Sequence, residues 1–225
     1  MDFVKRLEKI MGKLRGPGGC PWDRRQTHKS LKPYLLEESH EVLEAIDSGD
    51  AEHLREELGD LLLQVVFHSQ LAKEKRKFNL QQVAKTIGDK LLRRHPHVFG
   101  KSSRKINDIN RKWEELKRAE KPNRKSALDG LPHSLPALLR AQRMQEKITH
   151  NTRPMSGVAN RELQQAWKDL QRGLKGNKSA KEKAAGEFLL RFAQFSQAEG
   201  IHAEMSLKKA SSDYEKKFRR SEKNT

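Results

Sequence analysis

The sequence, 225 residues long, predicts an all-α protein. Its commonest residues include Leu, Glu, Lys, Arg, Ala and Gln, all strong helix formers. Val and Ile occur only seven times each, and no convincing run of alternating β-branched residues is present. Apolar residues recur instead at helical spacing. At this length one or two domains with a real core are expected. Hydrophobic and charged residues each make up 34%, so the surface must be heavily charged.

The elements follow in order. Phe3, Leu7, Ile10 and Leu14 mark an amphipathic helix over Asp2–Leu14. Gly16-Pro17-Gly18-Gly19 breaks it, and Cys20-Pro21-Trp22-Asp23 reads as more loop. A helix opens near Thr27 or Ser30, tolerates Pro33 in its first turn, and runs to about Asp47. Ser48-Gly49-Asp50 is a tight connection to a second long helix, about Ala51–Lys75. Asn79 caps a third, which stops before Pro96. A further helix with Trp113 covers about Ile106–Glu120, and Lys121–Ser126 reads as a linker. Beyond it, helices are expected from Pro136 to about Thr149, then at about Arg161–Leu174, Lys181–Glu199 and His202–Glu222.

The formal charge is +17, split as +3 over residues 1–100 and +14 over 101–225. A basic half suits nucleic acid, an anionic substrate or simple solvation. No aromatic-interleaved basic patch or reading motif is visible, so at most weak, non-specific nucleic-acid binding is expected. Cys20 is the only cysteine, so no internal disulfide can form. No leader is expected, and no apolar run of about 18 residues is present in the sequence. A cytoplasmic protein with no membrane contact is the expectation.

Two acid pairs carry the chemistry. Glu38/Glu41 and Glu57/Asp60 are each spaced i, i+3, so each pair shares a helix face. On the first helix the pair lies on one shoulder of a stripe formed by Leu35, Val42 and Ile46. On the second it lies on a matching shoulder of Leu54, Leu58, Leu61 and Val65, beside Gln64. The short connection makes the helices antiparallel neighbours. Glu41 and Glu57 both stand eight residues from Gly49, and Glu38 and Asp60 both stand eleven. Four carboxylates should therefore meet at one level of a helical hairpin. Such a cluster repels itself and calls for a cation. All-oxygen ligands favour Mg²⁺, Mn²⁺ or Ca²⁺ over zinc, and Mg²⁺ typically bridges carboxylates to phosphates. The plainer reading is that these acids are solvated, as Glu37, Glu44, Glu52 and Glu56 are expected to be. His28, His40, His53, His68, Cys20 and Trp22 lack the partners that would make them ligands, nucleophiles or base stackers.

At these residues the sequence resembles the MazG family of all-α nucleoside triphosphate pyrophosphohydrolases, whose signature is an E-x-x-E helix followed by an E-x-x-D helix. The resemblance also covers GGCPWD at 18–23, PYLLEESHEVLEAI at 33–46, ELGDLLLQVVFH at 57–68 and RRHPHVFG at 93–100. It implies Mg²⁺, or Mn²⁺ in its place, on Glu38, Glu41, Glu57 and Asp60. It further implies attack by water, release of pyrophosphate and a homodimer. Lys90 and Arg94, one turn apart, fit its phosphate-binding residues, and Trp113 matches a tryptophan that it places near the nucleotide. The pattern is often duplicated in that family, and residues 158–218 resemble the first copy in helix order. Asp169, Arg172, Ala184 and Glu187 then stand where Glu38, Glu41, Glu57 and Asp60 stand. An arginine and an alanine replace two carboxylates, and an arginine there would exclude a divalent cation. The expectation is two tandem MazG-like helical bundles, a catalytic domain at 1–120 and a degenerate one at 121–225. The rival expectation is a non-enzymatic helical module that binds nucleic acid through its basic C-terminal half.

Overall fold

A computed structural model describes residues 2–100, 116, 120, 125–149 and 156–222. Among these residues every regular element is a helix. The chain forms two compact units, Met1–Glu120 and Lys121–Thr225. Trp113, and with it most of the helix expected at 106–120, lies outside the described residues.

In the first unit α1 spans Phe3–Arg15, α2 Pro21–Arg25, α3 Lys32–Ser48, α4 Ala51–Glu74, α5 Leu80–Arg94 and α6 Pro96–Phe99. The Asp2 carboxylate caps α1 by accepting from Lys5 N at 3.1 Å. The expected loop at 20–23 is instead the start of α2, because Pro21 sits at the first helical position, where its missing N–H costs nothing. Gly49 ends α3 in the left-handed conformation, with φ 72°, and Asp50, the next residue, caps α4. Asn79 opens α5 with a reciprocal capping box: Asn79 Oδ1 accepts from Gln82 N, and Gln82 Oε1 accepts from Asn79 N, both at 2.9 Å.

The core of this unit joins α1 to the second half of α4. Met11, Leu31, Val66, Phe67, Leu71 and Leu80 are buried together, with Leu7 and Leu63 against them. Arg15 pins the same end. Its Nε and Nη2 donate to Glu74 at 2.8 and 2.7 Å, and Nη1 donates to the carbonyls of Asp23 and Gln26. Its guanidinium also stacks over Phe67, 5.4 Å from the ring centre. Toward the α3–α4 turn this core gives out. Of the stripe expected on α3 only Val42 is buried, while Leu35 and Ile46 are exposed. On α4 Leu58 and Val65 are exposed, and Gln64, Val66 and Phe67 are buried instead. The buried face of α4 is therefore turned from the expected one, because within this unit α1 covers the Phe67 and Leu71 side.

In the second unit α7 spans Ala137–Thr149, α8 Ser156–Gly173, α9 Lys178–Ala198 and α10 Ala203–Glu222. Its buried residues are small or polar: Ala166, Ala193, Ser196, Ala203 and Gln142. Gln142 ties α7 to the start of α10, donating to Ile201 O at 2.6 Å and accepting from Ala203 N at 2.9 Å. α8 and α9 meet so closely that a Cβ on Gly173 would stand 2.5 Å from that of Ala184.

Candidate functional site

The α3–α4 hairpin brings three of the four expected carboxylates together. Ligand oxygens of Glu38, Glu41 and Glu57 all lie within 4.8 Å of one another. Asp60 stands outside this trio, but its charge acts on Glu38. Gln64, one turn beyond Asp60 and buried, donates from Nε2 to Glu38 Oε1 at 3.4 Å. Its own Oε1 is buried without a hydrogen-bond partner. His53 Nε2 reaches Glu57 at 3.2 Å, one turn earlier on α4.

The electrostatics fit a cation site. Burial pushes the Glu38 carboxyl above its ordinary pKa, and the charges of Asp60 and Glu41 push it further, against the amide of Gln64. Among the described residues no lysine or arginine pairs with Glu38, Glu41 or Asp60. A half-buried, all-oxygen cluster of this kind is a natural ligand set for Mg²⁺ or Mn²⁺ and a poor one for zinc.

Lys90 and Arg94 share one face of α5, and Arg93 lies beside them at i+3 from Lys90. Arg94 is not an open cation. Its side chain is 14% exposed, and its Nε and Nη2 donate to Glu120. Arg93 donates to the same carboxylate at 3.0 and 2.6 Å. These partners, together with His53 and Gln64, are what sequence reasoning missed. His53 and Gln64 were legible as i, i+4 neighbours of Glu57 and Asp60. Glu120, 26 residues from Arg94, left no local signal.

Residues 26–99 match the family described as the MazG nucleotide pyrophosphohydrolase domain. The nucleoside triphosphate pyrophosphohydrolase/pyrophosphatase MazG of Thermotoga maritima is 40% identical over 226 residues, which span 98% of this chain and 86% of that relative. The chain belongs to the MazG family. The nucleoside triphosphate pyrophosphohydrolase of Escherichia coli K12, 38% identical over 233 residues, aligns with 99% of this MazG chain and 88% of its own length. That of Mycobacterium tuberculosis is 45% identical over 137 residues, 60% of this chain and 41% of the relative. The matched stretch holds all four acids, Lys90, Arg93 and Arg94, whereas the second unit lies beyond it.

Of the second-unit residues expected to correspond to the acids, Asp169 and Glu187 are paired with arginines. Arg172 pairs with Asp169 on its own helix, and Glu187 accepts from Arg191 Nε at 2.9 Å. Arg191 also reaches Glu162 on α8 at 3.0 Å. Here arginines neutralise the acids, and the helices approach closely at Gly173 and Ala184.

Proposed function

We propose that this chain hydrolyses nucleoside triphosphates and their deoxy forms to the monophosphate and pyrophosphate, in a Mg²⁺-dependent reaction. The observation that carries the reading is the trio Glu38, Glu41 and Glu57, with Asp60 acting on it, in a chain whose full-length relatives are named for this activity. Glu38, Glu41, Glu57 and Asp60 hold the ion, and Mn²⁺ can replace Mg²⁺. When bound, the ion offsets phosphate charge and activates water for attack at phosphorus. Gln64 and His53 fix the orientation of Glu38 and Glu57. Lys90 and the arginines of α5 offset the charge of the phosphates. Trp113, outside the described residues, is assigned to the nucleotide by the family resemblance alone. Water adds at the α-phosphorus, the α–β anhydride bond breaks, and pyrophosphate leaves.

The working form is a homodimer in the cytoplasm. Leu58, Leu62 and Val65 form an exposed stripe on α4 at helical spacing, 38–48% accessible, and Leu35 and Ile46 are exposed on α3. A second copy would bury such a surface. No helix among the described residues is long and apolar enough to cross a membrane.

Incubation with a panel of NTPs and dNTPs plus Mg²⁺ tests the reaction, with separate assays for phosphate and pyrophosphate. Pyrophosphate and monophosphate are expected. Orthophosphate and diphosphate as sole products would place the cleavage at the other anhydride. Light scattering should give twice the chain mass, and Leu58→Lys with Leu62→Lys should give a monomer.

A further inference from the structure

The connection between α2 and α3 is tied to α4 by two histidines that the acid site does not use. His28 Nδ1 and His68 Nδ1 stand 2.7 Å apart. The rings are parallel to within 2°, with centres 5.0 Å apart. The centres are further apart than the nitrogens by the span of two imidazole radii, so both nitrogens lie close to the line that joins the centres. The rings therefore meet edge to edge, and one Nδ1–H donates straight to the other Nδ1. That line holds a single proton. A neutral pair keeps the bond, and so does a pair with one charged ring. Two charged rings put two N–H groups head to head, and the contact must break.

His68 is half-buried, and its Nε2 is buried without a hydrogen-bond partner, so a cation there would strand a second N–H. Burial, and after it the charge of His28, hold His68 below its ordinary value of 6.5. The charged groups that reach α4 from its neighbours are engaged elsewhere, Glu8 with Lys73 and Arg15 with Glu74 from α1, and Glu38 with Gln64 from α3. On α5 Lys85 and Asp89 pair with each other, and Lys29 and Lys32, beside His28 in the chain, are exposed. Among the described residues no carboxylate acts on His68 to stabilise its cation.

We propose that His28 and His68 form a pH-gated clasp, closed at neutral pH and opened when both rings are protonated, which frees the connection at 26–31 from α4. Thr27 and Ser30 bond within this connection, whereas His28 bonds from it to α4. The stretch runs between two fixed ends. Arg15 donates to the carbonyl of Gln26, and Leu31, 1% exposed, is sunk in the core where α3 begins. Opening the clasp loosens the start of α3, the helix that carries Glu38 and Glu41. A histidine held below its ordinary value contributes stability that is present above the unfolded pKa and lost as pH falls through the folded one. The clasp therefore works in a window below 6.5.

The test follows amide hydrogen exchange at residues 26–34 of the full chain from about pH 7.5 to about pH 5, corrected for intrinsic rates, together with the NMR titration of the His68 ring. Exchange in this stretch should speed up about tenfold on the acid side, the scale of one hydrogen bond, and the His68 ring should titrate below its ordinary value. His28→Asn keeps a neutral partner that can donate to or accept from His68 Nδ1, so exchange should stay slow across the range. His28→Ala removes the clasp and should give the fast rate at every pH. His28 is exposed, so both variants should fold. Wild-type exchange at 26–34 that ignores pH overturns the proposal. So does an acid response in His28→Asn equal to that of wild type, which would assign it to other groups, and so does a His68 ring that titrates at or above its ordinary value.

Discussion

Glu41 is the most exposed member of the acid trio, and its charge is one of those that raise the pKa of Glu38. Glu41→Gln removes a metal ligand without changing size. Mg²⁺ or Mn²⁺ affinity should collapse in a calorimetric titration, while the melting temperature of the metal-free protein should rise, because like-charge repulsion is relieved. An unchanged titration would remove Glu41 from the site. Arg15 and Glu74 make the opposite kind of contact. The hydrogen bond from Arg15 holds the Glu74 carboxyl below its ordinary value of 4.5. A lowered carboxyl pKa contributes stability that is present above the unfolded value and lost as pH falls through the folded one. Melting temperature followed from neutral pH down to about pH 3 should therefore drop along an acid limb, and Glu74→Gln should flatten that limb and lower the neutral plateau. An identical acid limb in the variant would assign it to other carboxylates. The acids were legible because i, i+3 spacing on two joined helices is a local pattern. Arg15 was not, since its partners Glu74 and Asp23 come from α4 and α2, and nothing in the sequence pairs them.

At the scale of the element, the α3–α4 turn sets the register that levels Glu41 with Glu57. Gly49 holds φ 72°, a conformation that costs an ordinary L-residue roughly 1–2 kcal/mol, more for a β-branched one. Gly49→Val should lower stability by about that amount in a urea titration, and it should weaken metal binding as the hairpin shifts, whereas Gly49→Asn should be milder. Equal stability of the Val variant would mean that the turn adopts another form. The helices themselves were legible from periodicity and turns: α5 starts at the expected Asn79 cap, and α4 starts right after the expected Ser48–Asp50 connection. Two features were hidden. α2 is five residues long, too short for a periodic signal. The buried face of α4 differs from the expected one, because the apolar stripe Leu58, Leu62 and Val65 stays uncovered within its own unit. Hydrophobic spacing shows that a face wants cover, but it does not say which chain supplies it.

At the scale of the whole molecule, the two helical units differ in charge logic. In the first unit carboxylates face one another across the hairpin, with an amide and a histidine as neighbours. In the second, Asp169 is paired with Arg172 and Glu187 with Arg191. Arg172 and Glu187 each take a partner on their own helix, since i, i+3 and i, i+4 neighbours are in easy reach. The matched substitutions Asp60→Asn and Glu187→Gln test the asymmetry. Asp60→Asn should cut kcat by about a hundredfold or more, on the scale of one preorganised electrostatic group, roughly 2.7–4 kcal/mol. The fold should persist, because losing the Asp60 charge relieves Glu38. Glu187→Gln removes one partner of a half-exposed ion pair, so stability should change by only a few tenths of a kcal/mol, about the worth of a helix-surface pair. Its kcat should stay within about twofold of wild type, because the lost charge faces Arg191 rather than a bound cation. Circular dichroism before each assay separates unfolding from lost chemistry. If folded Glu187→Gln loses as much kcat as folded Asp60→Asn, the second unit takes part in the reaction.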